Sequence, residues 1–549
     1  MKRFLPEGKT LARCEFAAAI LLTLLSLAFH VVFFLHAGPL WRDEISSLAL
    51  ATKPTLAEFW RCLAFDPFPA SYFLLLRSWH AIGLGASDLA LRELGLLIGA
   101  LLVGSFWLSS YLIDKSPPVW PLALFALNPL TLEAGDSLRP YGFGLIWIVL
   151  AFGLIGRITF NESGKRSALF ALLAVLLSVQ SIFTNAFIFF AIAVAAAGVL
   201  LQKKAWRRMT LILGIGVLAA VSLTPYLPIM QATHDWAKII GNKNDVASVV
   251  AVGRDAIGDA GVFAKWTWLA VGSALAAALA STLVFGSRLR AIVDRNRDRI
   301  IFAGISVLVA AAATIGFLCA VRYLVFPRYF LAVMAMATLC VNILWNAISN
   351  RLAVRTLSLF LALVVAATSL RSLSERANMR MTNCDKIAAT LEQRASADDL
   401  IILTSFLYGV SFQRYYHGRT NWVALPQVDD FSLHRWDLLK QAMARPDPVP
   451  DLLSRAESVL QAGHKVFLVG KLGPPPAVQP ESLPPAPQSE FVWQMEPYLN
   501  QWKSELTYWL EHHALHGTEL AIEQTRVNPF EQLGLFEVSG LREQLGQRK

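Results

Sequence analysis

Apolar runs of about 20 residues recur through most of the first 371 positions, and each is long enough to cross a bilayer core of about 30 Å. No water-soluble core would absorb so many, so the sequence predicts a bundle of helices in lipid. The runs lie near positions 17–34, 90–112, 118–134, 140–156, 167–183, 185–201, 209–227, 263–286, 300–320, 329–347 and 353–371, which makes about eleven spans. Composition agrees: 16% of the 549 residues are charged, where a soluble protein carries roughly a quarter.

The formal net charge is +10, a balance that in a soluble chain would suggest nucleic acid. Here the basic residues sit in short segments between apolar runs, so the charge reads as membrane topology and no nucleic-acid partner is expected. The basic start "MKRFLPEGKTLARCEF" precedes a run too long for a cleavable signal, which predicts an uncleaved first span with the N-terminus in the cytoplasm. The inside loops then include "GRITFNESGKRS", "LQKKAWRR", "SRLRAIVDRNRDR" and "SNRLAVR", each with two or more Lys or Arg. Outside fall the Arg42 loop, the "GDSLRPY" turn, a loop from about Pro228 to Gly261, the "VRYLVFPRY" turn and everything after about Arg371. Five cysteines show no metal-ligand spacing.

From about Ser372 the composition changes. "DKIAATLEQR" reads as a helix, "LIILTS" and "AGHKVFLVG" as buried strands, and "GPPPAVQPESLPPAP" as a surface loop or linker. The expected architecture is therefore an all-α polytopic membrane bundle, residues 1–371, with a C-terminal extracytoplasmic α/β domain, residues 372–549. Within the first domain, the loop of about residues 36–88 is too polar to cross lipid and too rich in Trp, Phe and Leu to float in water. It is expected to lie along the outer interface, with "SYFLLLRSWHAI" as an interfacial helix.

That loop opens with Arg42, Asp43 and Glu44 side by side at the end of the first span. One reading makes the acidic pair surface charge, or a cap for the helix beginning "ISSLALA". The other makes it a functional site, since an acidic residue shielded by interfacial helices could gain a raised pKa or bind a cation.

The ordered set "WRDEISSLALA", "FWRCLAFDPFPASYFLLLRSWHAIG", "SDLALRELGLLIGALL" and "NPLTLEAGDSLRPYGFGLIW" resembles the first third of the polytopic glycosyltransferases that use polyprenyl-phosphate sugars. These are GT-C superfold enzymes of the protein O-mannosyltransferase and aminoarabinose transferase type. The likeness covers about residues 35–150 and is weaker beyond. It implies that Asp43 is the catalytic base, with Glu44 beside it and Asp66 matching a second acidic residue of the loop. The family often continues with His-Pro-Pro and an aromatic pair; this chain has Phe68, Pro69 and Ala70, then Tyr72 and Phe73, and the missing His puts in doubt any metal site that would use it. Arg92 matches an arginine of structural role, Arg139 and Tyr141 the family's Arg-Pro-Tyr turn, and "PRYF" with Arg328 a later Arg-Tyr element.

The implied reaction suits these residues. A phosphate monoester leaves as a competent anion, its second pKa being near 6, so one base toward the acceptor hydroxyl suffices and the anomeric centre inverts. Arg139, Tyr141 and Arg328 would bind the donor phosphate, although an arginine at a span end can also simply snorkel. His234 and Asp235 are further candidates as metal ligands or acceptor contacts. The sequence assigns no cofactor with certainty and leaves a divalent cation open. The expected partners are a polyprenyl-phosphate-linked sugar donor, a lipid, glycan or protein acceptor, and the plasma (bacterial inner) membrane. A flippase for lipid-linked solutes would place charges near the membrane midplane, where this chain has almost none. A polyprenyl-linked glycan ligase or polymerase stays open.

Overall fold

The computed structural model describes residues 5–66, 68–161, 164–237, 244–284, 290–321, 324–348, 352–486, 495–522 and 525–542. The chain divides into two compact units.

The first unit comprises Met1–His36, Phe68–Leu227 and Lys243–Asn378 and is helical. Among the described residues eight helices are long and apolar enough to cross a membrane: Thr10–His36, Asp88–Asp114, Pro140–Phe160, Asn185–Gln202, Trp206–Ala232, Asn296–Val321, Pro327–Asn346 and Leu352–Ala377. The chain is a multi-pass membrane protein. Three expected spans are not among the eight. The run at 118–134 is broken into Val119–Pro121, a π-helical turn Leu122–Ala126 and the helix Pro129–Asp136, because Pro129 supplies no N–H to continue the preceding turn and Asn128 caps a fresh helix by accepting from Leu130 N at 2.9 Å. The run at 167–183 forms only Lys165–Val179, about 22 Å long. The run at 263–286 forms Val262–Val284, where some side chains lie outside the described residues.

Small residues let the broken segment approach its neighbours. A Cβ on Gly95 would lie 2.0 Å from the Asp136 carbonyl oxygen, and one on Gly99 would meet the Asp136 carboxylate at 2.1 Å. Asp136 in turn accepts from His30 Nδ1 at 2.8 Å, and both side chains are buried. Arg92, also buried, interacts electrostatically with Asp136. The segment after Phe68 is fixed by Tyr226, whose hydroxyl accepts from Ala70 N at 3.1 Å and donates to Gln180 Oε1 at 2.8 Å. The helix Ser71–Trp79 that follows is too short to span.

The second unit gathers Ala37–Pro67, Pro228–Asn242 and Met379–Lys549. Its centre is a five-stranded sheet of β1 (Leu400–Leu403), β2 (Asn421–Ala424), β3 (Lys465–Gly470), β4 (Ala514–Glu519) and β5 (Gly534–Leu541), in the order β2-β1-β3-β5-β4. β1 runs parallel to β2 and β3, while β5 is antiparallel to β3 and β4. All of β1 is buried, which is why "LIIL" is continuously apolar. The expected helix appears as Cys384–Arg394, and the Pro-rich stretch forms no helix or strand as far as Ala486.

Residues 37–66 pack on this sheet domain. Met381 N donates to Ala37 O and Tyr415 OH to Leu40 O, each at 2.8 Å. The helix Arg42–Ala51 lies against the helix Gly409–Tyr415, and Leu40, Leu50, Phe59 and Leu63 are buried. Burial of this apolar surface accounts for a polar loop carrying so many large side chains.

Candidate active site

Asp43 sits in the first turn of Arg42–Ala51, where the helix dipole favours negative charge. It is not the cap of that helix. The N-cap is Trp41, whose N–H donates to Glu44 Oε2 at 3.3 Å, and a tryptophan side chain cannot return the bond. Glu44 is fully buried in this capping role, so of the acidic pair only Asp43 has its carboxylate in a half-buried position. His434 Nε2 lies 3.3 Å from Asp43 Oδ1, and Arg42 Nε makes a longer charge contact of 3.8 Å to the same oxygen. The imidazole stacks on Trp436 at 25°, and its buried Nδ1 has no hydrogen-bond partner among the described residues. A buried lone pair is easier to leave unmet than a buried N–H, which favours the tautomer with the proton on Nε2, donating to Asp43.

The sheet positions this group. Arg42 Nη1 donates to Phe530 O at 3.5 Å and Lys471, the residue after β3, donates to the neighbouring Pro529 O, so the start of the Arg42–Ala51 helix lies near the carboxyl end of β3, one of the parallel strands. Open α/β sheets characteristically bind ligands at that edge. Glu531, fully buried, accepts from Ser411 Oγ at 2.7 Å. Burial pushes its carboxyl up to about 7 against the pull of Arg42, Ser411 and Thr382, and the Asp43 charge adds to the rise. Asp66 is buried just after the 3-10 turn Leu63–Phe65; Arg435 stacks over Phe65 at 5.2 Å while its guanidinium holds Asp437 and Asp430, which fixes the loop carrying His434.

The donor-side candidates come together in the first unit. Arg139 is the N-cap of Pro140–Phe160, in extended conformation before a proline at N1. Its guanidinium lies 5.0 Å over the Phe68 ring, and Phe68 meets Tyr141 edge-on at 5.4 Å. Arg328, in the 3-10 turn Pro327–Phe330, donates from Nε to Tyr141 OH at 3.2 Å and stacks 4.3 Å over Phe326. Phe68 thus supports one guanidinium while Tyr141 holds the other. Two such forks in one cluster are suited to a phosphate.

Sequence reasoning missed His434 and Glu531. Each lies in the C-terminal segment, far along the chain from Asp43, and no local spacing marks either. Among the described residues no three His, Cys, Asp or Glu side chains come together as a metal site. The side chains of His234 and Asp235 lie outside the described residues.

The architecture can be compared with known proteins. No family model and no curated protein matches the sequence. Among solved structures, the fold matches ArnT from Cupriavidus metallidurans in the apo state, with a TM-score of 0.50 at 12% identity over 82% of this chain and 92% of that one. The chain has a GT-C fold. The same ArnT bound to undecaprenyl phosphate covers 94% of this chain and 97% of its own at a TM-score of 0.45 and 11% identity. The Archaeoglobus fulgidus oligosaccharyltransferase in complex with Zn and sulfate covers 82% and 67%, at 0.46 and 14%. The GT-C fold expected from residues 35–150 is therefore the fold of the chain.

Proposed function

We propose that the chain is a membrane glycosyltransferase that moves a hexosyl or pentosyl group from a polyprenyl-phosphate carrier to an acceptor hydroxyl. The observation that supports this best is Asp43: a half-buried carboxylate near the carboxyl end of β3, 3.3 Å from His434 Nε2, in a chain with a GT-C fold. Asp43 takes the proton of the acceptor hydroxyl as its oxygen attacks the anomeric carbon. The bond to the phosphate oxygen breaks with inversion, and the phosphate leaves as an anion without needing a general acid. Arg139, Tyr141 and Arg328 hold the phosphate as its charge grows. The reaction takes place on the outer face of the plasma (bacterial inner) membrane, and the carrier would be of the undecaprenyl phosphate class that ArnT binds.

The test is Asp43→Asn. Asparagine keeps the size and still accepts from His434 Nε2–H, so folding survives, but an amide is no base at neutral pH. Turnover with a polyprenyl-phosphate sugar is expected to fall about a hundred- to ten-thousandfold. Glu44→Gln and Asp66→Asn serve as controls with smaller losses. Transfer by Asp43→Asn within a few fold of wild type, at equal membrane abundance, would remove Asp43 as the base.

A further inference from the structure

The sheet domain holds a groove that the transfer chemistry does not use. It runs beside the edge strand β2 and the loop after it, has a volume of about 340 Å³, and is lined by Gln413, Trp422, Gln427, Asp429, Phe431 and Arg455, among others. Trp422 and Phe431 form an aromatic pair with ring centres 5.0 Å apart, half-buried and so partly open to a ligand. The four polar side chains named are exposed, and none makes a hydrogen bond or ion pair to another described residue.

The chemistry of this lining selects among ligands. A phosphate or other anion is disfavoured by Asp429 and Asp430, set against the single Arg455. A bare cation is disfavoured because no three acidic or imidazole groups meet among the described residues, and Asp430 is already paired with Arg435. An apolar ligand would strip water from four unpartnered polar groups at a cost it could not offset. A neutral polyhydroxyl ring fits. Its hydroxyls both donate and accept, matching carboxylate, guanidinium and two amides at once, and its C–H faces carry the slight positive charge that an aromatic face attracts. The volume is within the range of small-ligand sites.

We infer that this groove is a saccharide-binding subsite, and that the acceptor is a glycan or a sugar-bearing lipid whose sugar unit it holds. Binding stands on the groove alone; the role as acceptor site rests on the transferase reading. The loop from Gln427 supports that role, since its first residues line the groove and His434 further along contacts Asp43.

The test uses the full-length chain in lipid nanodiscs, so that no glycosidic detergent competes, and reads saturation-transfer NMR signals from free glucose, galactose, mannose, N-acetylglucosamine and arabinose. At least one is expected to receive saturation at its ring protons. Arg455→Ala and Gln427→Ala, both at exposed side chains, should each weaken that sugar's apparent affinity roughly tenfold, while Asp43→Asn binds it as wild type does. No signal from any sugar would overturn the inference, and so would a signal indifferent to both groove variants, which would place the sugar elsewhere. An active Asp43→Asn enzyme would instead strike at the transferase reading and leave the binding result standing.

Discussion

His434 and Glu531 show how the surroundings of one carboxylate come from distant parts of the chain. If His434 orients Asp43 by a charge-assisted hydrogen bond, His434→Ala should lower kcat roughly ten- to a hundredfold with little change in KM for the donor, and His434→Gln, which keeps a side-chain N–H, should recover part of the loss. Equal activity of both variants to wild type would make the imidazole a bystander. Glu531 yields a pH prediction. Its folded pKa of about 7 stands above the ordinary 4.5, so between those values the folded protein binds more protons than the unfolded chain, and stability falls as pH rises through that window. Glu531→Gln keeps an acceptor for Ser411 and cannot ionise. Above pH 7 it should be the more stable protein, by up to about 3 kcal/mol, and its melting midpoint should decline less between pH 4.5 and 7. Parallel pH profiles in a thermal-unfolding series would refute this.

Helix starts organise the site at the next scale. Arg139 is the extended N-cap of a proline-initiated helix with its guanidinium over the Phe68 ring, and Arg328 is held by Tyr141 and by the Phe326 ring. Because a phosphate prefers the bidentate fork that the Leu138-Arg139-Pro140-Tyr141 turn would present, Arg139→Ala is expected to cost the larger share of phosphate recognition, roughly ten- to a hundredfold in kcat/KM for the donor, with Arg328→Ala costing less. Donor titrations on the purified variants decide it, and a near-normal Arg139→Ala would separate that arginine from the phosphate. The sequence disclosed the apolar helices, β1 and β3 because continuous burial leaves continuous apolar runs. It did not disclose β2 or β4, which are short or mostly exposed and so carry little pattern. The break at 118–134 was hidden because its residues are as apolar as those of a span, and only Asn128 and Pro129 mark where the backbone turns aside. At the Arg42–Ala51 helix, residue preference pointed to aspartate as the cap, yet Glu44 reaches the Trp41 N–H and the helix begins earlier, which leaves the Asp43 carboxylate available to His434.

Over the whole molecule, the charge bias of the loops predicts that residue 549 lies on the extracytoplasmic side of the membrane. An alkaline phosphatase fused after Lys549 should be active, and a silent fusion with an active cytoplasmic reporter at the same point would reverse the topology. The second unit, assembled from residues near 37–67 and again from beyond 379, also sets a schedule for making the protein. At about 5–20 residues per second, synthesis of the chain between Pro67 and the last strand takes on the order of half a minute to two minutes. Throughout that interval Leu40, Leu50, Phe59 and Leu63 have no sheet to cover them. During that interval the first loop is expected to be open to proteases, and a pulse-labelled nascent chain should be cut within it far faster than the finished protein.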